Sequence, residues 1–171
     1  LRTLNSLIKS INYSKIYEKI KIKLTIIDHQ SNEKILSKFK DLLNNQKFEN
    51  EILNLQFEIF KKNINPINQD GKKVTENQMS NMSNINQSLN IAKNCDDLVY
   101  FVEDDYLHKK ETIEEMIYAY EKISSILNDE VILCPTDYPY LYNNLDDTKI
   151  ILGNKYYWRS TQESLCTFLT S

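Results

Sequence analysis

The segment Asp97-Leu98-Val99-Tyr100-Phe101-Val102-Glu103-Asp104-Asp105-Tyr106 sets five consecutive apolar residues, β-branched and aromatic among them, directly against three carboxylates. A run of that length and composition predicts a buried strand. Because the run stops where the acids begin, the strand delivers carboxylates to a sheet edge. Three adjacent carboxylates repel one another, and none is buried unpaired without a large cost, so the pattern calls for a counter-charge. A divalent cation supplies one. Hard oxygen ligands suit Mg²⁺ or Mn²⁺, which one or two protein carboxylates hold while substrate phosphates complete the shell.

The flanking residues predict helices on both sides. Asn81-Met82-Ser83-Asn84 opens one with Ile85, Leu89, Ile91 and Ala92 on its inner side, and Asn81 or its neighbours cap it. Beyond Tyr106, the residues Ile113, Met116, Ile117, Tyr120, Ile123 and Leu127 keep a helical stripe. Glu111, Glu114 and Glu115 are expected on its solvated side, where first-turn acids suit the helix dipole. His108 reads as a loop residue.

Toward the N-terminus, Leu1, Leu4, Leu7, Ile8 and Ile11 recur at helical spacing, predicting helix from residue 1 to about 18. Residues 21–28 alternate and end in an apolar run at Asp28, which predicts a strand with an acid at its C-terminal end. Ser31 or Asn32 then caps a helix over 32–45. Alternation at Ile52, Leu55, Phe57 and Ile59 predicts a strand over 50–60, with a short helix as the alternative. Residues 61–78 are polar, contain Pro66 and Asp70-Gly71, and read as an exposed loop.

Toward the C-terminus, residues 131–134 predict a short strand, closed by Pro135-Thr136-Asp137-Tyr138-Pro139-Tyr140-Leu141-Tyr142. The tyrosines of that loop either offer ring faces to a sugar or nucleobase or pack over the sheet edge. Residues 148–159 predict a β-hairpin turning at Gly153-Asn154, and residues from 162 to 171 begin another helix.

Composition narrows the function classes. The 171 residues carry a net charge of −3 with scattered positive charges, which gives no electrostatic footprint for nucleic acid. A hydrophobic fraction of 41% with 11 Tyr and 6 Phe supports a packed core for one domain. No apolar run approaches the roughly 18 residues that span a bilayer, so no transmembrane segment is expected in this fragment. Cys95, Cys134 and Cys166 lack CxxC spacing and read as buried thiols of a reducing compartment, which implies a cytoplasmic chain, free or peripheral to a membrane.

Strands alternating with helices predict an α/β fold, a three-layer α/β/α domain with a mostly parallel central sheet. Ligands of such sheets bind beyond the C-terminal strand ends. Asp28, Glu103-Asp104-Asp105 and Asp137 all follow predicted strands, so that topology would bring them to one rim.

Set between its apolar strand and its helix, Glu103-Asp104-Asp105 resembles the metal-binding DxD motif of nucleotide-sugar-dependent glycosyltransferases with the GT-A fold, of the family 2 type. The order helix, strand, Asp28, Ser31, helix resembles the start of the nucleotide-binding half of that fold. The resemblance implies a single domain over 1–171, truncated before its first strand and at its C-terminus. It implies transfer of a sugar from a nucleotide-diphosphate donor to a hydroxyl of a glycan or lipid-linked acceptor, with Mn²⁺ or Mg²⁺ as cofactor. Asp105 would touch the metal; Glu103 and Asp104 would support the metal site or the donor. Asp28 would contact the base or ribose of the donor, or else serve as a turn acid. Asp137 and Glu163 are the candidate catalytic bases, and Tyr138, Tyr140, Trp158 and Arg159 the candidate acceptor contacts. Two other readings stand beside it. A sugar-nucleotide nucleotidyltransferase would need a glycine-rich phosphate loop, whereas this chain has only Gly71 and Gly153. A non-catalytic carbohydrate- or partner-binding module would use the acids merely as helix caps.

Overall fold

The computed structural model describes every residue except 14, 144–146 and 164–166. It is a mixed α/β chain that divides into two compact units, one made of Leu1–Ile20 with Asp96–Ser171 and the other of Lys21–Cys95. In chain order the first element is α1 (Arg2–Tyr13), whose stripe Leu4, Leu7, Ile8 and Ile11 is buried as its spacing requires. A single 3-10 turn at Ile16–Glu18 follows.

The Lys21–Cys95 unit begins with β1 (Lys23–Asp28), α2 (Glu33–Leu43) and β2 (Glu49–Asn54). The two strands pair in parallel, from Lys23 opposite Glu49 to Asp28 opposite Asn54, with α2 as the crossover. Asn32 caps α2 by accepting from the Ile35 amide at 3.0 Å. Across the ladder, Glu51 accepts from Lys23 and from the Thr25 hydroxyl, each at 2.8 Å. The strand expected over 50–60 is only half strand: after Asn54 the chain turns into α3 (Phe57–Asn63), so Phe57 and Ile59 are helical. The next helix, α4 (Glu76–Ala92), begins at Glu76 rather than at Asn81. Thr75 and Gln78 form a reciprocal capping box that fixes this start. Between α3 and α4, Gly71 takes a φ of +75°, a value that favours glycine, at the predicted Asp70-Gly71 turn.

The other unit adds β3 (Val99–Phe101), α5 (Thr112–Leu127), β4 (Ile150–Leu152), β5 (Tyr157–Arg159) and β6 (Phe168–Thr170) to α1. Helices α1 and α5 pack together, and Ile113, Met116, Ala119, Tyr120 and Ile123 are buried. The Glu111 side chain does not cap α5. Instead the buried Ser10 hydroxyl of α1 accepts from the Ile113 amide at 3.0 Å, satisfying an orphan donor from outside the helix. Strand β3 pairs antiparallel with β6, so the helix expected over 162–171 is corrected to a strand over its last residues. Three residues are too few to display a period, and the pairing that makes them a strand is long-range. The strand expected at 131–134 is a single antiparallel bridge, Leu133 to Leu169. Strands β4 and β5 form the predicted antiparallel hairpin. The described strands thus form three two-stranded ladders, one parallel and two antiparallel.

Two further expectations change. Glu115, expected on the solvated face of α5, is 3% exposed. Its carboxylate accepts from the amides of Asn154, Lys155 and Tyr156 at 3.0, 2.8 and 3.3 Å and from the Trp158 indole at 3.1 Å. It is the anchor of the β4–β5 hairpin. Cys95 is exposed and Cys134 half-buried, in place of the expected buried thiols, while Cys166 lies outside the described residues.

Candidate functional site

The acidic triplet leaves β3 where the sheet edge ends. Phe101 packs its ring on Phe168 of β6 at 4.9 Å, and the chain then turns through Asp104 and Asp105. Two threonines pin this turn: the Glu103 amide donates to the buried Thr167 hydroxyl at 3.1 Å, and the Thr3 hydroxyl of α1 donates to the Asp104 carbonyl. The backbone is therefore fixed while Asp104 and Asp105 stay exposed and Glu103 half-buried. Burial raises the Glu103 carboxyl above its ordinary value, and the charges of Asp105 and Asp104 add to the rise. Among the described residues, no lysine or arginine forms an ion pair with any of the three.

No group of three or more His, Cys, Asp or Glu among the described residues is placed to enclose a metal ion. What the acids do present is two carboxylates, Glu103 and Asp105, that feel one another's charge without a basic partner. That set matches the mode in which one or two carboxylates hold Mg²⁺ or Mn²⁺ and substrate phosphates supply the rest.

Tyr106 links the acids to the proline-bounded loop. Its hydroxyl is hydrogen-bonded to that of Tyr138. Burial, the Tyr138 contact and the nearby Glu103 and Asp105 charges all push the Tyr106 phenol up, so it stays protonated. Tyr138 in turn stacks on Tyr140, with centroids 5.6 Å apart and planes 24° apart. Of the predicted site residues, Glu103, Asp105, Tyr138 and Tyr140 are thus joined in one patch through Tyr106.

The remaining candidates are engaged elsewhere. Asp137 accepts from Arg159 Nη2 and Nε at 2.9 and 3.2 Å and from the Tyr142 hydroxyl, and the Arg159 guanidinium lies 4.3 Å from the Tyr142 ring centre. Burial alone would raise the Asp137 carboxyl, but the Tyr142 and Arg159 hydrogen bonds and the Arg159 charge outweigh it and hold the carboxyl below its usual range. A carboxylate held down in this way is a weaker proton acceptor. Trp158 spends its indole N–H on Glu115. Glu163 is exposed and lies in no helix. His108 sits between Tyr100, whose hydroxyl is 3.0 Å from Nε2, and Ser6, whose Oγ is 3.2 Å from Nδ1. With both ring nitrogens occupied and its pKa lowered by burial, His108 is a packing residue.

In the Lys21–Cys95 unit, Asp28 ends β1, and its Oδ2 accepts from the Ser31 amide at 3.2 Å. It therefore does serve as a turn acid, and it also lines a cleft of 420 Å³ beyond the C-terminal ends of β1 and β2, with Ser31, Asn54, Gln56 and Phe57. His29 lines the same cleft and is the residue that sequence reasoning missed. Its ring packs on Phe57 at 4.9 Å, its Nδ1 is 2.6 Å from the Ser80 hydroxyl, and its buried Nε2 has no partner among the described residues. Buried polar atoms are seldom left unpaired, so this nitrogen marks the cleft as unusual. Adjacency to Asp28 in a strand-end turn is the only sequence signal that could have found it.

Comparison with protein-family models, with curated proteins and with solved structures gave no match. No helix among the described residues is long and apolar enough to cross a membrane.

Proposed function

We propose that the chain is a metal-dependent glycosyltransferase that moves a sugar from a nucleotide diphosphate to a hydroxyl of a glycan or lipid-linked acceptor, on a GT-A-like α/β/α fold with a mostly parallel sheet. The observation that carries the reading is the end of β3. There Thr167 and Thr3 hold the Glu103 amide and the Asp104 carbonyl, Glu103 is raised by burial and by its neighbours, and no basic residue among those described is paired with the acids. A sequence that holds carboxylates together without a counter-charge sustains a repulsion that a bound cation relieves.

Transfer of a sugar asks little of the protein beyond neutralising the leaving diphosphate, taking a proton from the acceptor and holding both in line. Asp105 and Glu103 are the residues that would hold Mn²⁺ or Mg²⁺, whose chemistry when bound is to offset the charge developing on the diphosphate. Asp104 supports the donor. Tyr138 and Tyr140 offer stacked ring faces to an acceptor sugar, and Arg159, over the Tyr142 ring, is a candidate acceptor contact. Asp137 serves as base only on release from Arg159; Glu163, exposed and unpaired to any cation among the described residues, is the other candidate.

Calorimetry of UDP and GDP binding tests the reading. Binding that requires Mn²⁺ and is lost in Asp105→Ala, with the circular dichroism spectrum unchanged, supports it. Equal, weak or absent binding with and without Mn²⁺ refutes it and favours the second reading, a non-catalytic carbohydrate- or partner-binding module. The absence of a three-ligand acidic group among the described residues is the observation on that side.

A further inference from the structure

The groove between α3 and α4 has a volume of 330 Å³, within the range of about 300–1,000 Å³ that small-molecule sites occupy. Five carboxamides line it, Gln56, Asn63, Asn86, Gln87 and Asn90, and none of its lining residues is ionisable. Ser83, only 2% exposed, belongs to the same wall. Ile59, Phe60 and Ile64 supply the apolar part.

Some of these amides are committed to the fold. Gln87 accepts from the Gln56 amide at 2.8 Å and donates to the Asn54 carbonyl at 3.1 Å, which ties α4 to the start of α3. Asn63 donates to the Ile59 carbonyl and Asn90 to Asn86 Oδ1, both at 3.0 Å. The side-chain amide of Gln56, the Asn86 Nδ2 group and the Oδ1 atoms of Asn63 and Asn90 have no partner among the described residues. The groove therefore offers both donors and acceptors next to an aromatic ring, and no charge of either sign.

That chemistry selects its ligand. A phosphate or carboxylate would meet only neutral donors here and an amine only neutral acceptors, weaker partners than an opposite charge. A sugar hydroxyl both donates and accepts, and the C–H face of a pyranose packs on an aromatic ring. We propose that the α3–α4 groove binds an uncharged saccharide. This site is separate from the acidic strand end and does not rest on the transferase reading, because it needs neither metal nor nucleotide.

The test is a ¹⁵N–¹H NMR titration of the chain with glucose, galactose, mannose, N-acetylglucosamine, maltose and cellobiose, and with glucose 1-phosphate as the charged comparator. At least one neutral sugar gives saturable shifts in the side-chain amides and backbone of α3 and α4, unchanged by Mn²⁺ or by EDTA. Asn86→Asp, which keeps the size of the side chain and adds a charge, weakens that binding by about tenfold or more with an unchanged melting temperature. Phe60→Ala weakens it as well. No saturable shift with any neutral sugar, equal shifts with glucose 1-phosphate, or undiminished binding by a folded Asn86→Asp chain would each overturn the assignment. None of these outcomes bears on Mn²⁺-dependent nucleotide binding, so the two readings fail separately.

Discussion

Replacing Glu115 with alanine removes the acceptor shared by four N–H groups: the amides of Asn154, Lys155 and Tyr156 and the Trp158 indole. At about 1 kcal/mol for each bond, the upper figure is about 4 kcal/mol. Asn154, Lys155 and Tyr156 lie at an exposed tip where water can take over as acceptor, while Trp158 is half-buried, which lowers the expected loss to roughly 2–3 kcal/mol. At about 2–4 °C for each kcal/mol in a chain of this length, that is a drop of roughly 4–12 °C in melting temperature. Urea denaturation followed by tryptophan fluorescence measures it, since Trp158 is the sole tryptophan and sits in the affected contact. The midpoint should fall with an unchanged denaturant slope, because the loss is local. Glu115→Gln keeps the shape and one carbonyl oxygen, and should lose less than half as much. A Glu115→Ala chain within about 0.5 kcal/mol of the parent would refute the view that this buried carboxylate anchors the hairpin.

Gly153→Ala should destabilise by roughly 1–3 kcal/mol, because its Cβ would lie 2.2 Å from Glu115 Oε1 and 2.7 Å from Trp158 Nε1. Thermal melts should show a smaller loss for the same change in the Glu115→Ala background, since the first clash is then gone. Asp137→Asn should change stability by only about 0–1 kcal/mol, because the Arg159 pair is exposed on its acidic side; a larger loss in urea melts would make the pair structural. His108 should make stability fall on acidification. Burial lowers its pKa, so below the ordinary histidine value of about 6.5 the unfolded chain takes up a proton that the folded one resists. Stability is then fully present above that value and is lost as pH falls toward the lowered one. Urea melts at several pH values compare this with His108→Gln, which should flatten the dependence in that window.

Local patterns were legible in the sequence where one face of an element had to be buried. The stripes of α1 and α5, the alternation leading to Asp28, the Asn32 cap and the hairpin turn at Gly153 all follow from spacing and turn chemistry. The start of α4 was also legible, since Thr75-Glu76-Asn77-Gln78 carries the capping-box pattern, but the polar composition around it favoured a loop. At Phe57 and Ile59 the apolar positions two apart fit a strand, while the structure puts them on one short helix. Strand β6 could not be read locally, because its identity comes from pairing with β3. For the candidate site, the end of the strand at the acids was visible, but the turn that follows and its supports were not: Thr3 and Thr167 lie far from it in sequence. Nor was the burial of Glu115, which depends on four donors from a distant hairpin, nor the cleft position of His29.

The central claim is that the carboxylates ending β3 seat a divalent cation together with a nucleotide diphosphate. Electron paramagnetic resonance of Mn²⁺ tests it most directly, because the free ion's signal is lost in proportion to the ion bound. One Mn²⁺ per chain should be taken up when UDP or GDP is present beyond what the nucleotide alone binds, and this uptake should vanish in Asp105→Ala. Uptake equal to that of the nucleotide alone, or undiminished in the folded Asp105→Ala chain, would contradict the account.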